Sequence, residues 1–196
     1  MSEREGQEFT DEELIRAALG GDDEAFRGLM EKYKRRAFSV AVGITGDPDE
    51  AMDVVQEAFV KAYYNLKEFR FGANFYTWFY RLLVNQAIDR WRKVSRGHTV
   101  PLDERWLSGE VSAPDSVVHP RTPEDLAQNR ELSEALTRAI GELPEYHRAV
   151  ILLREVEGLA YDEIASVLKC SVGTVMSRLH YARAKLKDAL KGYREG

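Results

Sequence analysis

A pair of short amphipathic segments within residues 161–187 constrains the fold most strongly. Apolar residues recur at helical spacing, first at Ile164, Val167 and Leu168 and then at Val172, Val175, Leu179, Ala182 and Leu186. Lys169 and Cys170 separate the two segments, and Ser171 is a suitable N-cap for the second one. The pattern predicts a helix-turn-helix. Lys169 stands where such turns often carry glycine, and a left-handed conformation costs a non-glycine residue roughly 1–2 kcal/mol.

The outer face of the second helix predicts a DNA-binding surface. It carries hydroxyl, imidazole, phenol and cationic groups, at Ser171, Thr174, Ser177, Arg178, His180, Tyr181, Arg183 and Lys185. Such groups contact phosphates and base edges in protein–DNA complexes. On these residues alone, an ordinary amphipathic helix with a solvated charged side remains an alternative interpretation.

The charge of the chain is divided unevenly. The net charge is −5, but residues 169–194 hold seven lysines and arginines against one aspartate, and residues 81–96 hold five against one. Two separated basic helices on an acidic body indicate two contacts with nucleic acid. The acidic remainder suits a large partner that has basic docking surfaces.

The composition argues against several other classes of protein. One cysteine excludes a disulfide framework and a cysteine-based zinc site, and the four histidines lack the spacing of metal ligands. Neither a GxxxxGK nor a GxSxG motif is present, so we expect no catalytic residue, no metal, no cofactor and no small-molecule substrate. No run of about 18 apolar residues or signal segment occurs, which predicts a protein of the reducing cytoplasm.

The organisation along the chain predicts an all-α protein with two helical blocks. Helical periodicity extends from residue 14 to residue 96 and again from residue 132 to the end, and no alternating strand pattern is present. Asp22 is a candidate N-cap, and Gly46, Asp47 and Pro48 form a turn, an N-cap and a first helical residue. Four prolines and sparse apolar residues in 97–123 predict a linker.

The helix predicted from Pro48 to Leu66 has two distinct faces. One arc is apolar and should be core: Ala51, Val54, Val55, Ala58, Phe59, Ala62, Tyr63 and Leu66. The opposite arc combines acidic and amide groups with two larger side chains, namely Asp53, Gln56, Glu57, Val60 and Tyr64. This mixture is typical of a protein-docking patch, and scattered surface apolar residues are the alternative.

The helix predicted over 74–96 combines aromatic and basic groups. One stripe contains Trp78, Arg81, Asn85, Asp89, Arg92 and Arg96, and seven aromatic residues lie within 69–81. Aromatic faces can stack on unpaired bases while cations bind phosphates, so this segment predicts a contact with single-stranded nucleic acid. Most of the aromatic residues should nevertheless be core.

Four ordered blocks of the chain are similar to one protein family. They are DVVQEAFVKAYYNL at 53–66, FYTWFYRLLVNQAIDRWRK at 75–93, LPEYHRAVILLREVEGLAYDEIASVL at 143–168 and GTVMSRLHYARAKL at 173–186. The chain resembles the small extracytoplasmic-function (ECF, group 4) branch of the bacterial sigma-70 family. The resemblance implies two small helical domains, a region 2 bundle at 10–96 and a region 4 helix-turn-helix domain at 126–192, joined by a flexible linker at 97–125.

The resemblance also assigns partners. It implies a protein that binds core RNA polymerase, directs it to promoter DNA and helps to melt that DNA. The segment 53–66 matches the family's docking helix for the clamp of the largest subunit, which assigns that contact to Asp53, Gln56, Glu57, Val60 and Tyr64. Region 4 would meet the flap of the second-largest subunit. Small members of the family are commonly held by an anti-sigma factor, often membrane-bound, so we expect one here.

Promoter-reading residues follow from the same resemblance. The −10 reader and melting loop match 69–93, which implicates Arg70, Phe71, Gly72, Asn74, Phe75, Tyr76, Trp78, Arg81, Asn85 and Arg92. The −35 reader matches 171–183, where Met176 and Tyr181 stand in place of arginines that some relatives carry. An autonomous repressor or activator would use the same helix-turn-helix, but it normally needs a dimer interface, and no coiled coil is visible in the sequence.

Overall fold

The computed structural model describes residues 9–95 and 123–193, and all its regular structure within these ranges is helical. The α-helices are α1 (Asp11–Leu19), α2 (Asp23–Thr45), α3 (Pro48–Tyr64), α4 (Phe75–Ser95), α5 (Pro123–Gly141), α6 (Glu145–Ile151), α7 (Tyr161–Leu168) and α8 (Val172–Ala189). Short 3₁₀ turns cover Leu66–Glu68 and Lys191–Tyr193, and a π-helical turn covers Leu152–Val156. The all-α prediction is confirmed. Arg96 and most of the predicted linker lie outside the described residues, and its last positions, 123–125, belong to α5.

Local capping explains where the first helices begin. The Asp22 carboxylate accepts the backbone N–H groups of residues 24 and 25 at 3.0 and 3.3 Å. The Asp47 carboxylate accepts those of residues 49 and 50 at 2.8 and 2.9 Å, and Pro48 is the first residue of α3. These bonds satisfy N–H groups that have no partner inside the helix. Both predicted N-caps are therefore confirmed.

Helices α1–α4 form an N-terminal module around a core rich in aromatic rings. Phe59 and Phe79 stack with centroids 4.5 Å apart, and Tyr33 packs on the rings of Phe75 and Tyr76. The predicted core arc of α3 is buried except for Tyr63, which is 44% exposed. The prediction for Tyr63 was wrong because its ring lies against the edge of Phe26 while its hydroxyl donates to Asp23, at the surface.

Helices α5–α8 form a C-terminal module that contains the predicted helix-turn-helix. Lys169 adopts the left-handed conformation, with φ 49° and ψ 49°, at the end of α7. The Ser171 hydroxyl caps α8 by accepting the N–H of Thr174 at 3.1 Å. Val175 and Leu179 are buried, whereas Val172, also predicted on the apolar stripe, is 42% exposed because it begins the helix at the open end of the turn.

A π-helical turn between α6 and α7 reorients the chain. The N–H of Glu157 donates to the carbonyl of Leu152 at 3.2 Å, five residues back. Gly158 follows with φ +71°, a conformation that side chains other than glycine rarely adopt. A π turn inserts one extra residue relative to an α-helix. It leaves the Glu157 side chain only 2% exposed and aimed at the N-terminal module.

The two modules share one hydrophobic core in this structure. A Cβ atom added to Gly43 of α2 would lie 2.6 Å from Leu152 Cδ1, so the Leu152 side chain packs directly on the backbone of α2. Arg148 of α6 is 2% exposed and donates to the carbonyl of Ile44 at 2.7 Å. The C-terminal module is therefore docked on α2 and α4.

Candidate nucleic-acid and polymerase interfaces

The predicted docking face of α3 is exposed and combines acidic with apolar groups. Asp53 and Glu57 have side chains 61% and 50% exposed. Beside them, Val60 is 55% exposed and Tyr64 76% exposed, and Gln56 is also at the surface. Positions 56, 60 and 64 follow one another at four-residue spacing, so they form a continuous ridge along the helix.

An arginine from α4 holds the acidic part of this face. Arg90 lies 2.9 Å from Glu50, 3.2 Å from Asp53 and 3.7 Å from Glu57. One cation therefore faces three carboxylates, which leaves the docking face with net negative charge. Exposed pairs of this kind contribute little to stability, so the carboxylates remain available to a basic partner.

Sequence reasoning missed two members of the docking face. Met52 is 49% exposed and precedes Gln56 by four residues, and Tyr63, placed in the core by periodicity, lies at the surface beside Tyr64. The spacing 52, 56, 60 could have identified Met52. Apolar side chains exposed together along one helix, here those of Met52, Val60 and Tyr64, mark an interaction surface more often than a solvated face.

The loop before α4 presents the predicted −10 residues at the surface. Arg70, Phe71, Gly72 and Asn74 are exposed, and Gly72 has φ +95°. The Phe71 ring is 46% exposed and lies 5.3 Å from the guanidinium of Arg16. The carboxamide oxygen of Asn74 accepts the N–H of Tyr76 at 2.9 Å, so it caps the start of α4.

A cleft of about 440 Å³ begins behind this loop. Its first wall comes from the N-terminal module and includes Asn74, Trp78 and Arg81, and its second wall comes from α7. Trp78 is half-buried, with its ring 5.6 Å from those of Phe69 and Phe75. The structure therefore brings the amide of Asn74, the indole of Trp78 and the guanidinium of Arg81 together in one cleft.

Other predicted −10 residues lie elsewhere. Phe75 and Tyr76 are 2% and 7% exposed, so both are part of the core and are inaccessible from outside in this structure. Asn85 is exposed further along α4. Arg92, the last member of the set, is half-exposed and bonded to Glu145 of α6 at 2.9 Å, which raises the pKa of the guanidinium.

The outer face of α8 presents the predicted −35 residues in two groups. Ser171, Thr174 and Ser177 form a row of hydroxyls, with 2.8 Å between the first two oxygens. Arg178 continues the row, and its guanidinium lies 4.7 Å from the centroid of Tyr146. Further along, Tyr181 is 42% exposed and packs at a tilt against His147, with ring centroids 4.7 Å apart, and Lys185 lies 5.9 Å from the centroid of the Tyr181 ring.

His180 and Arg183 lie on a different side of α8. Five residues at 100° each place Arg183 about 140° around the helix from Arg178. Arg183 pairs with Glu155 of the π turn at 2.6 Å, and this hydrogen bond raises the pKa of the guanidinium. The structure therefore does not bring Arg183 together with Arg178. His180 is exposed next to Met176, which is 54% exposed.

Family models match both modules of the chain. The model described as Sigma-70 region 2 matches residues 29–97, and the model described as Sigma-70, region 4 matches residues 133–186. Together they cover more than half of the chain. The chain belongs to the ECF branch of the sigma-70 family. This sigma factor is thus a transcription initiation factor that directs RNA polymerase to promoters.

Known sigma factors are similar over nearly the whole length. The RNA polymerase sigma-H factor of Pseudomonas aeruginosa is 36% identical over 185 residues, covering 92% of this chain and 94% of that protein. The ECF RNA polymerase sigma-E factor of Escherichia coli K12 is 35% identical over 193 residues, covering 94% and 96%. The ECF sigma factor SigW of Bacillus subtilis is 33% identical, covering 90% and 95%.

Two solved structures share the fold of this sigma factor. CnrH in complex with the cytosolic domain of CnrY has a TM-score of 0.65 at 26% identity, covering 93% of this chain and 97% of that one. The sigma factor RpoE of Bartonella quintana, in complex with the anti-sigma factor NepR, has a TM-score of 0.60 at 26% identity, covering 85% and 96%. Within its described residues, this sigma factor has no helix long and apolar enough to cross a membrane.

Proposed function

We propose that this sigma factor divides its work among three surfaces on separate helices. The docking face on α3 binds the clamp of the largest subunit of core RNA polymerase, through Asp53, Gln56, Glu57, Val60 and Tyr64. The loop 70–74 and α4 read and melt the −10 element, and the outer face of α8 reads the −35 element. These assignments correspond to a region 2 domain at 10–96, a linker at 97–125 and a region 4 domain at 126–192.

The observation that carries the proposal is the exposed row on α3. Met52, Val60 and Tyr64 are each about half exposed or more, and carboxylates flank them. Exposing apolar side chains to water does not stabilise an isolated protein, whereas a partner with a basic rim would bury them. Region 4 would add a second contact, with the flap of the second-largest subunit.

Aromatic and polar groups support the −10 assignment. Trp78 offers an indole in a cleft whose wall also holds Asn74 and Arg81. Unpaired bases stack on such rings while guanidinium groups bind phosphates. Because Phe75 and Tyr76 are core residues, the direct contacts belong to Arg70, Phe71, Asn74, Trp78, Arg81 and Asn85, and Arg92 joins them once it leaves Glu145.

We further propose that an anti-sigma factor controls the protein. The complexes of CnrH with CnrY and of RpoE with NepR support this, since both pair a protein of this fold with a partner. The proposed place of action is the cytoplasm, with retention at the inner membrane if the anti-sigma factor is membrane-bound. The factor itself is not an enzyme and takes no cofactor, because polymerase supplies the catalysis.

Run-off transcription with purified core polymerase tests the proposal as a whole. Core enzyme alone and core enzyme with the factor are compared on genomic DNA fragments, and the transcript ends are mapped. We expect discrete starts only when the factor is present. Footprints that need the factor but not polymerase would instead favour an autonomous DNA-binding regulator.

Charge reversal on α3 should weaken the binding of core polymerase. Asp53→Arg and Glu57→Arg each replace an exposed carboxylate on the docking face and also repel Arg90. We expect roughly a tenfold or larger loss of affinity for each, because a like charge opposes a basic partner at the contact. Fluorescence anisotropy of the labelled factor titrated with core polymerase measures this loss.

The matched control for this experiment is Glu31→Arg on α2. Its side chain is 61% exposed and pairs with Lys34, so it makes the same change of charge away from the docking face. Unfolding free energies should stay within about 0.5 kcal/mol of wild type for exposed positions. If folded Asp53→Arg and Glu57→Arg bind polymerase as tightly as Glu31→Arg does, the docking face is assigned to the wrong side of α3.

Arg178 and Lys187 should differ in how they affect −35 binding. Arg178 lies in the first half of α8, where an inserted helix approaches base edges, and Lys187 lies about two and a half turns further on. Arg178→Ala should cost about 1–3 kcal/mol on the preferred element and relax preference at one base pair. Lys187→Ala should weaken all sequences equally and lower the salt slope by about one unit.

The measurement is promoter affinity of the holoenzyme across single-base −35 variants at several salt concentrations. Equal weakening of every variant by Arg178→Ala would mean that Arg178 binds phosphate. Sequence preference would then rest on Thr174, Ser177 or Tyr181.

A further inference from the structure

Region 4 lies directly on the surface of region 2 that the proposed function assigns to −10 DNA. The wall of the cleft opposite Asn74, Trp78 and Arg81 is formed by Asp162, Glu163 and Ser166 of α7. Two carboxylates thus face the groups that would bind an extruded strand. A phosphate entering between the walls would meet like charges, which oppose its binding.

A buried carboxylate of region 4 also bonds to region 2 and holds the two regions together. Glu157, in region 4, is bonded to Arg36 at 3.0 Å, to the Tyr80 hydroxyl at 3.1 Å and to the Tyr76 hydroxyl, all in region 2. Its side chain is 2% exposed. Burial and the nearby carboxylate raise the pKa of both tyrosines, so they stay protonated and donate their hydrogens to Glu157.

Side chains at the start of α6 contact one arginine from each promoter-reading surface. Tyr146 lies between them, with Arg92 of α4 at 5.4 Å and Arg178 of α8 at 4.7 Å from its ring centroid. Glu145 accepts two hydrogen bonds from Arg92, at 2.9 and 3.3 Å. Two guanidinium groups assigned to different promoter elements therefore share one aromatic ring.

The distances show that this arrangement cannot read a promoter. Both guanidinium carbons lie close to the same ring, so they are within about 10 Å of each other. Elements separated by about 20 base pairs lie roughly 70 Å apart along B-DNA. The modules must separate before Arg92 and Arg178 can contact the two elements together.

We propose that this structure is a closed state of the factor, in which acidic side chains of region 4 occupy the positions of promoter phosphates. The bonds of Glu157 to Arg36, Tyr76 and Tyr80 hold the two regions together and are called the latch. Glu145 takes the phosphate position at Arg92, and Asp162 and Glu163 line the −10 cleft. The proposal rests on the proposed function of the −10 and −35 surfaces. Core polymerase, by binding the modules apart, opens the latch, uncovers the −10 surface and lets the two promoter-reading surfaces reach elements that lie far apart.

The distance between the modules tests this directly in the full chain. Spin labels are attached at Lys67→Cys and Ala189→Cys, two exposed positions, in a Cys170→Ser background. Electron paramagnetic resonance then measures the distribution of distances. Wild type should give one narrow, short distribution, and Glu157→Gln should raise the open fraction about tenfold or more, because it weakens hydrogen bonds to a charged acceptor.

Glu155→Gln is the matched control. Glu155 lies two residues from Glu157, but it pairs with Arg183 inside region 4 and its side chain is 53% exposed. The same loss of one carboxylate there should leave the distance distribution as in wild type. A folded Glu157→Gln protein, shown by circular dichroism, with the distribution of wild type would overturn the proposal.

Glu145→Gln tests the closed state if Glu157→Gln fails to fold. Glu145 is 23% exposed in its side chain, so its loss is easier to tolerate, and it should also increase the open fraction. An unchanged distribution for Glu145→Gln in that case counts against the closed state.

Addition of core polymerase to the labelled wild-type protein tests the opening step and the binding of polymerase separately. A shift to long distances supports the opening step, and a bound complex that keeps the short distance overturns it. Absence of binding would instead contradict the proposed function, while the comparison of Glu157→Gln with Glu155→Gln still judges the latch. Glu157→Gln should also bind polymerase more tightly, by up to the factor by which the open fraction rises.

Discussion

Arg148→Met should lower the free energy of unfolding by about 3–5 kcal/mol, which corresponds to a fall in Tm of roughly 10 °C for a chain of this size. The guanidinium of Arg148 donates to the carbonyls of Ile140, Gly141, Leu143 and Ile44. Burial lowers its pKa to about 10, so it stays charged at neutral pH. Methionine fills a similar volume but leaves these carbonyls without their donor.

Urea denaturation followed by tryptophan fluorescence and by circular dichroism measures this effect. Arg138→Met, an exposed arginine on α5, is the matched control and should change the free energy by less than about 0.5 kcal/mol. Because Arg148 joins the end of α5 to α2, its loss should also separate the unfolding of the two modules. A loss below about 1 kcal/mol with one unchanged transition would mean that water replaces the guanidinium at little cost.

Trp78→Ala and Asn85→Ala should each reduce promoter opening by about tenfold to a hundredfold on duplex DNA. Stacking of a base on an aromatic ring contributes about 1–3 kcal/mol, and both side chains are assigned to the opened strand. Initial engagement of the closed duplex should change much less. Permanganate footprinting of thymines detects strand opening by the holoenzyme on duplex and on pre-melted templates.

The controls separate base contact from packing. Lys93→Ala removes an exposed side chain of the same helix and should open DNA like wild type. Trp78 also packs on Phe69 and Phe75, so its loss could act through the core. If a pre-melted template leaves Trp78→Ala as defective as duplex DNA does, the indole acts through packing rather than through recognition of an opened strand.

Local features of the fold could be predicted from the sequence because their causes are local. Asp22, Asp47 and Ser171 cap helices by accepting N–H groups two or three residues away, and the structure has each of these bonds. The turn at Lys169 is left-handed even without glycine. The exposed acidic and apolar face of α3 likewise follows from helical periodicity within one segment.

The errors occurred where a partner from another helix decides burial. Tyr63 falls on the apolar arc of α3, but Phe26 and Asp23 of α2 hold it at the surface. Phe75 and Tyr76 resemble exposed stacking residues in the sequence, whereas Tyr33 and Phe79 enclose them in the core. Arg183 is a different case, because helical geometry alone places it about 140° around α8 from Arg178, where it pairs with Glu155.

The sequence by itself determined the helices, their caps, the helix-turn-helix and the charged faces, since each depends on residues within a few positions of one another. Only the tertiary structure decided that the acidic side chains of the C-terminal module lie against the basic and aromatic face of the N-terminal module. Glu157 is bonded to Tyr76 and Arg36, which precede it by 81 and 121 residues. Helical periodicity shows that a face needs a partner, but the shape and charge of the whole surface select which helix covers it, and here α7 and the start of α6 cover the surface assigned to DNA.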